Sequence, residues 1–178
     1  HNVAHSFPTR RSSDLIDATG FTTSLLFNDQ GHLGRISNSA GQFSTYQYDD
    51  LGNLTAVGVQ NFLYGNSYDA LNNLIGSEDP LGNARSFAYG DNDRLIGITD
   101  ANGHATQYAY DDDGNLSSIL YADGSHVDYT YDDAGNVTSV TNARGQTTRY
   151  SYDAAGHITR QTLADGEANS PSIDLRYL

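Results

Sequence analysis

The sequence predicts an all-β fold, a continuous antiparallel meander of β-hairpin repeats of about 21 residues each. Three observations carry that expectation. Aromatic residues recur in a column at nearly constant spacing. Two columns of turn residues run in step with it. The composition suits strands and turns: 13 Tyr, 18 Gly and 20 Asp, but two Glu and no Lys, Met, Trp or Cys. Tyr favours strands, and Gly and Asp favour turns. Scarce Glu, Lys and Met leave little with which to build long helices.

The aromatic column comes first, because a missed internal period would misread the whole fold. Phe27, Tyr48, Tyr68, Tyr89, Tyr110, Tyr131 and Tyr152 lie 21, 20, 21, 21, 21 and 21 residues apart. Two residues before each stands Leu25, Tyr46, Asn66, Phe87, Tyr108, Tyr129 or Tyr150, and only Asn66 is polar and not aromatic. Between the turns, stretches of about seven residues such as His104 to Tyr110 alternate in period two. Thr106, Tyr108 and Tyr110 share one face, Gln107 and Ala109 the other. That is the pattern of a half-buried strand, roughly 23 Å long at 3.3 Å per residue.

Four residues after each aromatic comes Gly31, Gly52, Asn72, Asp93, Gly114, Gly135 or Gly156. Asn and Asp are the non-glycine residues that best tolerate a left-handed backbone. The column therefore marks positive φ in a tight turn. The acid after the aromatic (Asp49, Asp69, Asp111, Asp132, Asp153) suits the first turn position, where its carboxylate accepts a bond from a nearby backbone N–H. Two residues past the turn lies an aliphatic: Leu33, Leu54, Leu74, Leu95, Leu116, Val137 or Ile158. A second turn column comprises Gly20, Gly41, Gly82, Gly103, Gly124, Gly145 and Gly166. The copy after Tyr48 lacks it, because Val57 to Tyr64 reads VGVQNFLY and is one residue short; a bulge or irregular connection is expected there. Each unit is then two strands and two turns, and seven units give about fourteen strands.

His5 to Leu15 reads HSFPTRRSSDL, identical to the in-frame translation of a widely used sequencing adapter. Residues 1–15 are therefore read as adapter-derived, non-native and disordered. Arg10-Arg11 lacks the following apolar region that a signal peptide needs. Both ends of the chain stop within a repeat, so a piece of a longer protein is expected. Residues 16–178 carry 7 Arg against 21 acids.

The motif Tyr-x-Tyr-Asp-x-x-Gly-Asn-Leu, seen as Tyr108-Ala-Tyr-Asp-Asp-Asp-Gly-Asn-Leu116 and Tyr129-Thr-Tyr-Asp-Asp-Ala-Gly-Asn-Val137, resembles the RHS or YD repeat family. The resemblance covers residues 16–178, which are read as an array of about seven repeats. It implies a β-sheet that spirals into a hollow shell, enclosing in the bacterial members a C-terminal toxin domain. It further implies a secreted or bacterial cell-surface protein. In many members a separate segment with an Asp-Pro-x-Gly signature lies after the repeats and releases the toxin. Asp79-Pro80-Leu81-Gly82 has that form, but it aligns with Asp100-Ala-Asn-Gly103 in the second turn column and reads as a turn with Pro at its second position. No catalytic residue is carried over.

The function expected is thus a non-catalytic shell segment whose partner is the encapsulated toxin domain. The alternative is a cell-surface adhesion or carbohydrate-binding repeat protein that meets glycans or a surface partner. The formal charge of −13 argues against nucleic acid, which needs clustered Lys or Arg. No apolar run approaches the ~20 residues of a membrane span, so no membrane insertion by this segment is expected. No catalytic, cofactor-binding or metal site and no cofactor is assigned. Asp111-Asp-Asp-Gly-Asn115 resembles a calcium loop, yet its twelfth position is Ala122 where a Glu is needed, so a solvated turn is expected. His32, His104, His126 and His157 fall at no metal-ligand spacing; His32 and His157 take the column held elsewhere by Asn53, Asn115 and Asn136. The tyrosines are expected to pack along the sheet and bond their hydroxyls to neighbouring copies.

Overall fold

A computed structural model describes the backbone of residues 11–164 and 172–174 and the side chains of residues 12–163. The described residues form an antiparallel meander with no long helix, as the period-two alternation requires. The chain divides into two compact units, residues 1–87 and 88–178. The first contains β1 (Arg11–Ile16), β2 (Thr22–Phe27), β3 (Leu33–Asn38), β4 (Phe43–Tyr48), β5 (Leu54–Val59), β6 (Phe62–Tyr68), β7 (Leu74–Glu78) and the start of β8 (Ala84–Tyr89). The second contains β9 (Leu95–Thr99), β10 (Ala105–Tyr110), β11 (Leu116–Leu120), β12 (His126–Tyr131), β13 (Val137–Thr141), β14 (Thr147–Tyr152), β15 (Ile158–Ala164) and β16 (Ser172–Asp174). Within each unit every strand pairs with its neighbours in the chain.

The fourteen strands anticipated correspond to β2–β15, and two more are present among the described residues. One of them corrects the sequence reading. Residues 11–15, expected to be disordered, lie in β1, which pairs with β2 from Arg11↔Phe27 to Ile16↔Thr22. The reason is that an edge strand presents a full row of unpaired N–H and C=O groups to whatever chain precedes it. Residues 1–10 lie outside the described residues.

Each hairpin sorts its side chains onto two unlike faces. In the second unit, Tyr108 stands opposite Ile119, and Ile119 opposite Val127. In the next repeat Tyr129 stands opposite Val140, and Val140 opposite Thr148. The first unit repeats the row as Tyr46, Val57 and Tyr64. The alternate residues are small or polar, as in Ala109, Ser118 and Asp128, or Gln47, Ala56 and Gly65. Along β10 the half-buried and exposed residues alternate as predicted, with Gln107 and Ala109 exposed.

Only Ala56 and Gly58 are buried among the described residues, because each unit is a single layer of sheet. Cohesion therefore resides in cross-strand pairs, each contributing about 0.2–1 kcal/mol, and in the turns.

A register shift recurs where six of the aromatic strands enter their turns. Ala109 pairs with Ser118 but Tyr110 with Leu116, so Ser117 is passed over. The same step occurs at Phe27, Tyr48, Tyr68, Tyr131 and Tyr152. The extra residue restores the parity of the pleat, so that Leu116 and Ile119, three residues apart, both face the tyrosines. Of the bulge or irregular connection expected near Val57 to Tyr64, the structure has a changed connection and no bulge. Val59 pairs directly with Phe62, and Gln60-Asn61 closes a two-residue hairpin with Gln60 at φ +56°. A shorter loop absorbs the missing residue more economically than a bulge.

Candidate functional site

The repeating unit of chemistry in this chain is the turn that follows each aromatic. In the Asp132 turn the Gly135 N–H donates to the Asp132 carbonyl at 2.9 Å, and the Asp132 N–H donates to the Asn136 carbonyl at 2.9 Å. The carboxylate completes the structure from within. Its Oδ1 accepts from the N–H groups of Ala134 and Asn136 at 3.0 and 2.8 Å, and its Oδ2 from Asn136 Nδ2 at 3.0 Å. Asp49 and Asp69 make the same set. The side-chain amide and backbone N–H of Asn136 hold the Asp132 carboxyl below the usual carboxylate range. For Asp153 the donors are the backbone N–H and ring of His157.

The glycine column has the conformation its substitutes announced. Gly31, Gly52, Gly114, Gly135 and Gly156 lie at φ between +80° and +89°, and Asn72 and Asp93 at +68° and +56°. The second column agrees at Gly20, Gly41, Gly82, Gly103, Gly124 and Gly145; Gly166 lies outside the described residues. Asp79-Pro80-Leu81-Gly82 is a turn of this second kind. Its Asp79 Oδ1 accepts from the N–H groups of Leu81 and Asn83, and Gly82 N–H donates to the Asp79 carbonyl.

Successive copies are tied together on the aromatic side. The hydroxyl of Tyr110 donates to the Leu95 carbonyl at 2.8 Å, that of Tyr131 to Leu116 at 2.8 Å, and that of Tyr152 to Val137 at 2.7 Å. The acceptor in each is the aliphatic that opens the strand of the preceding copy, and for Leu116 and Val137 it sits beside the register shift. Partial burial pushes the Tyr131 and Tyr152 phenols above their usual value, with Asp111 and Asp132 adding to the effect. In the exceptional copy Asn66 Nδ2 donates to the Leu54 carbonyl at 3.0 Å, where Tyr68 also donates.

In three copies the residue after the positive-φ position reaches forward as well. The His32 ring lies 4.8 Å from that of Tyr48 and abuts Gly52, while Arg94 lies 5.5 Å over the Tyr110 ring and against Gly114. Asn53 Nδ2 donates to Asn72 Oδ1 at 2.8 Å across copies. These forward contacts carry no signal in a single repeat.

The residues weighed as chemical candidates resolve into the same pattern. His157 stands in for asparagine, its Nδ1 3.0 Å from Asp153 Oδ2. His104 does the same for Asp100 at 3.2 Å on the second side. His32 has Asn28 at its turn's first position, not an acid, and packs its ring at a tilt against Tyr48. His126 pairs with Asp128 at 3.3 Å. Asp111 turns its carboxylate inward onto Asn115, through the backbone at 2.7 Å and the side chain at 3.1 Å. No cluster of three or more acidic or imidazole groups converges on one point among the described residues.

Comparison with known proteins agrees with this geometry. The RHS Repeat family matches residues 27–58, 68–105, 91–126 and 131–168. No curated protein matches the chain. Among solved structures, TcdB2-TccC3-Cdc42 is similar with a TM-score of 0.68 at 19% identity, over 92% of this chain and 11% of that one. TcdB2-TccC3-TEV is similar with a TM-score of 0.67 at 19% identity, over the same shares. The Tc holotoxin pore of Photorhabdus luminescens matches with a TM-score of 0.67 at 19% identity, over 86% of this chain and 9% of that one. The chain thus spans about a tenth of the length of these structures, and the likeness is one of fold. With turns, register and aromatic column all of one kind, the chain belongs to the RHS repeat family.

Proposed function

We propose that this chain is a non-catalytic wall segment of an RHS-repeat shell that encloses a downstream toxin domain in a secreted bacterial protein. The observation that carries the reading is where the polar chemistry goes. Turn carboxylates, asparagine amides and tyrosine hydroxyls are spent on the chain itself, within a turn or between copies. A surface whose donors and acceptors bond one another builds a wall. Its output is then the space it bounds, and the enclosed domain is its partner. The similar fold in structures whose names include TccC3 and the Tc holotoxin pore supports the same reading.

The gene that carries this sequence tests it. A coding region continuing into an Asp-Pro-x-Gly segment and then a domain that varies between strains is expected. The intact protein should then protect that domain from added protease until the shell is opened. A repeat array that runs into a cell-wall anchor, with no enclosed domain, would overturn the proposal in favour of surface adhesion.

A further inference from the structure

Three asparagines of the turn column also begin an Asn-x-Ser/Thr acceptor sequence for glycan transfer: Asn53-Leu-Thr55, Asn115-Leu-Ser117 and Asn136-Val-Thr138. They occupy one position of the repeat, yet the structure leaves them in different chemical states. Asn53 uses both hydrogens of its amide, one on Asp49 Oδ2 at 3.0 Å and one on Asn72 Oδ1 at 2.8 Å. Asn136 keeps a spare N–H, but its partner hydroxyl is engaged, Thr138 Oγ1 lying 2.8 Å from Thr130 Oγ1. Asn115 has neither obstacle among the described residues. Its amide makes one bond, to Asp111 Oδ2 at 3.1 Å, and Ser117 is the residue that the register shift leaves out of the ladder. Two residues before Asn115 stands Asp113, exposed at the turn tip. Neither Asn53 nor Asn136 has an acid there, since Leu51 and Ala134 take that place.

We propose that Asn115 is a glycan attachment site for an oligosaccharyltransferase of the kind that reads an acid two residues before the asparagine. In the transfer, Asn115 Nδ2 forms a bond to C1 of a lipid-diphosphate-linked oligosaccharide. The C1–oxygen bond to the diphosphate breaks, the lipid diphosphate leaves, and one amide proton passes to a base of the transferase. The glycosylated amide retains one N–H, enough for the Asp111 bond. At Asn53 the same reaction removes a hydrogen that a cross-copy bond requires. The setting rests on the exported reading above, because such transfer accompanies export; the acceptor chemistry belongs to the chain alone.

The test is therefore run outside the cell, with the purified full chain, a purified acid-requiring oligosaccharyltransferase and its lipid-linked oligosaccharide. Peptide mapping should find one glycan, on Asn115, in chain opened with mild urea. Transfer to the folded chain should be at least about tenfold slower, because the turn must open locally first. Asn115→Gln and Asp113→Ala should each abolish it. After refolding, the glycosylated chain should recover the melting curve of the unmodified one. Transfer to Asn53 or Asn136 at a comparable rate, or no transfer to the opened chain, would overturn the proposal. Neither result bears on whether the shell encloses a toxin, which the gene decides.

Discussion

The two rims of the sheet, one formed by the turns after the aromatics and one by the opposite turns, use the same local device to different ends. Both place a glycine at positive φ and a side-chain oxygen over the backbone N–H groups of the turn. On the opposite rim the copies are joined by bonds beside the turns, between Ser39 and Thr22 and from the Gln60 N–H to the Phe43 carbonyl, and not over the glycines. Gly20, Gly41, Gly103, Gly124 and Gly145 have open space where a Cβ would stand. On the aromatic rim Gly31 and Gly135 are equally open, but Gly52 lies beneath His32 and Gly114 beneath Arg94, and tyrosine hydroxyls reach back to the preceding copy. Both rims vary at the first turn position, the aromatic rim holding Asn28 and Gly90 where the other copies have an acid. The opposite rim holds a two-residue hairpin at Gln60-Asn61 and a turn that starts at Tyr121 instead of an acid. The aromatic rim admits only Asn or Asp for its glycine. What the aromatic rim keeps in every copy is the backbone conformation of that column, not the acid that opens the turn.

Replacing a glycine on each rim with the same residue should expose the contrast. Gly103→Val and Gly114→Val both force a β-branched residue to positive φ, at +83° and +88°. That alone should cost about 1–3 kcal/mol. Only Gly114→Val also displaces Arg94 from the Tyr110 ring, adding about 0.5–1 kcal/mol. Urea unfolding monitored by tyrosine fluorescence gives the two values. Equal losses would show that the forward contact of Arg94 contributes nothing.

Removing a tyrosine hydroxyl should come next in size. Tyr131→Phe leaves the Leu116 carbonyl without its donor and should destabilise by about 1 kcal/mol. The phenol also predicts an alkaline limb. Its folded pKa is raised, so the neutral form is favoured in the folded chain. The associated stability is complete below the unfolded value, about 10, and is lost as pH rises through the folded value. Melting temperatures taken upward from pH 9 should fall less steeply in Tyr131→Phe than in the parent. Parallel curves would place the alkaline loss elsewhere.

How far these rims were legible in the sequence follows from what a single column can encode. Positive φ leaves a signature in residue type, so Asn72 and Asp93 announced the conformation of the whole glycine column. The capping acids and the in-and-out alternation of β10 were legible for the same reason. The register shift beside the aromatics was not, because Ser117, Thr138 and Thr55 are ordinary strand residues that carry no bulge signal. The partners of the tyrosine hydroxyls and of Arg94 depend on that register, so they were hidden with it. The connection at Gln60-Asn61 was foreseen as a bulge or an irregular link without a choice between them, since one missing residue fits a bulge and a shorter loop equally well on paper. Residues 11–15 pair for a reason external to their own composition, the open edge of β2.

The smallest effect separates two adjacent acids in one turn. Asp112 is exposed, and Asp112→Ala should shift stability by no more than about 0.5 kcal/mol. Asp111→Ala should be clearly destabilising, because it strips the acceptor from the Asn115 N–H and side-chain amide. Asp111 also predicts a response to acid. Burial against the turn pushes the Asp111 carboxyl up, but the Asn115 donors outweigh it and hold the folded value below the usual one. Its stabilisation is therefore present above the unfolded value, about 3.9, and disappears as pH falls through the lower folded value. Melting curves from pH 5 to pH 2 should lose part of their acid dependence in Asp111→Ala and keep it in Asp112→Ala. An unchanged acid limb in both variants would mean that the inward carboxylate is an ornament of the turn and not its fastening.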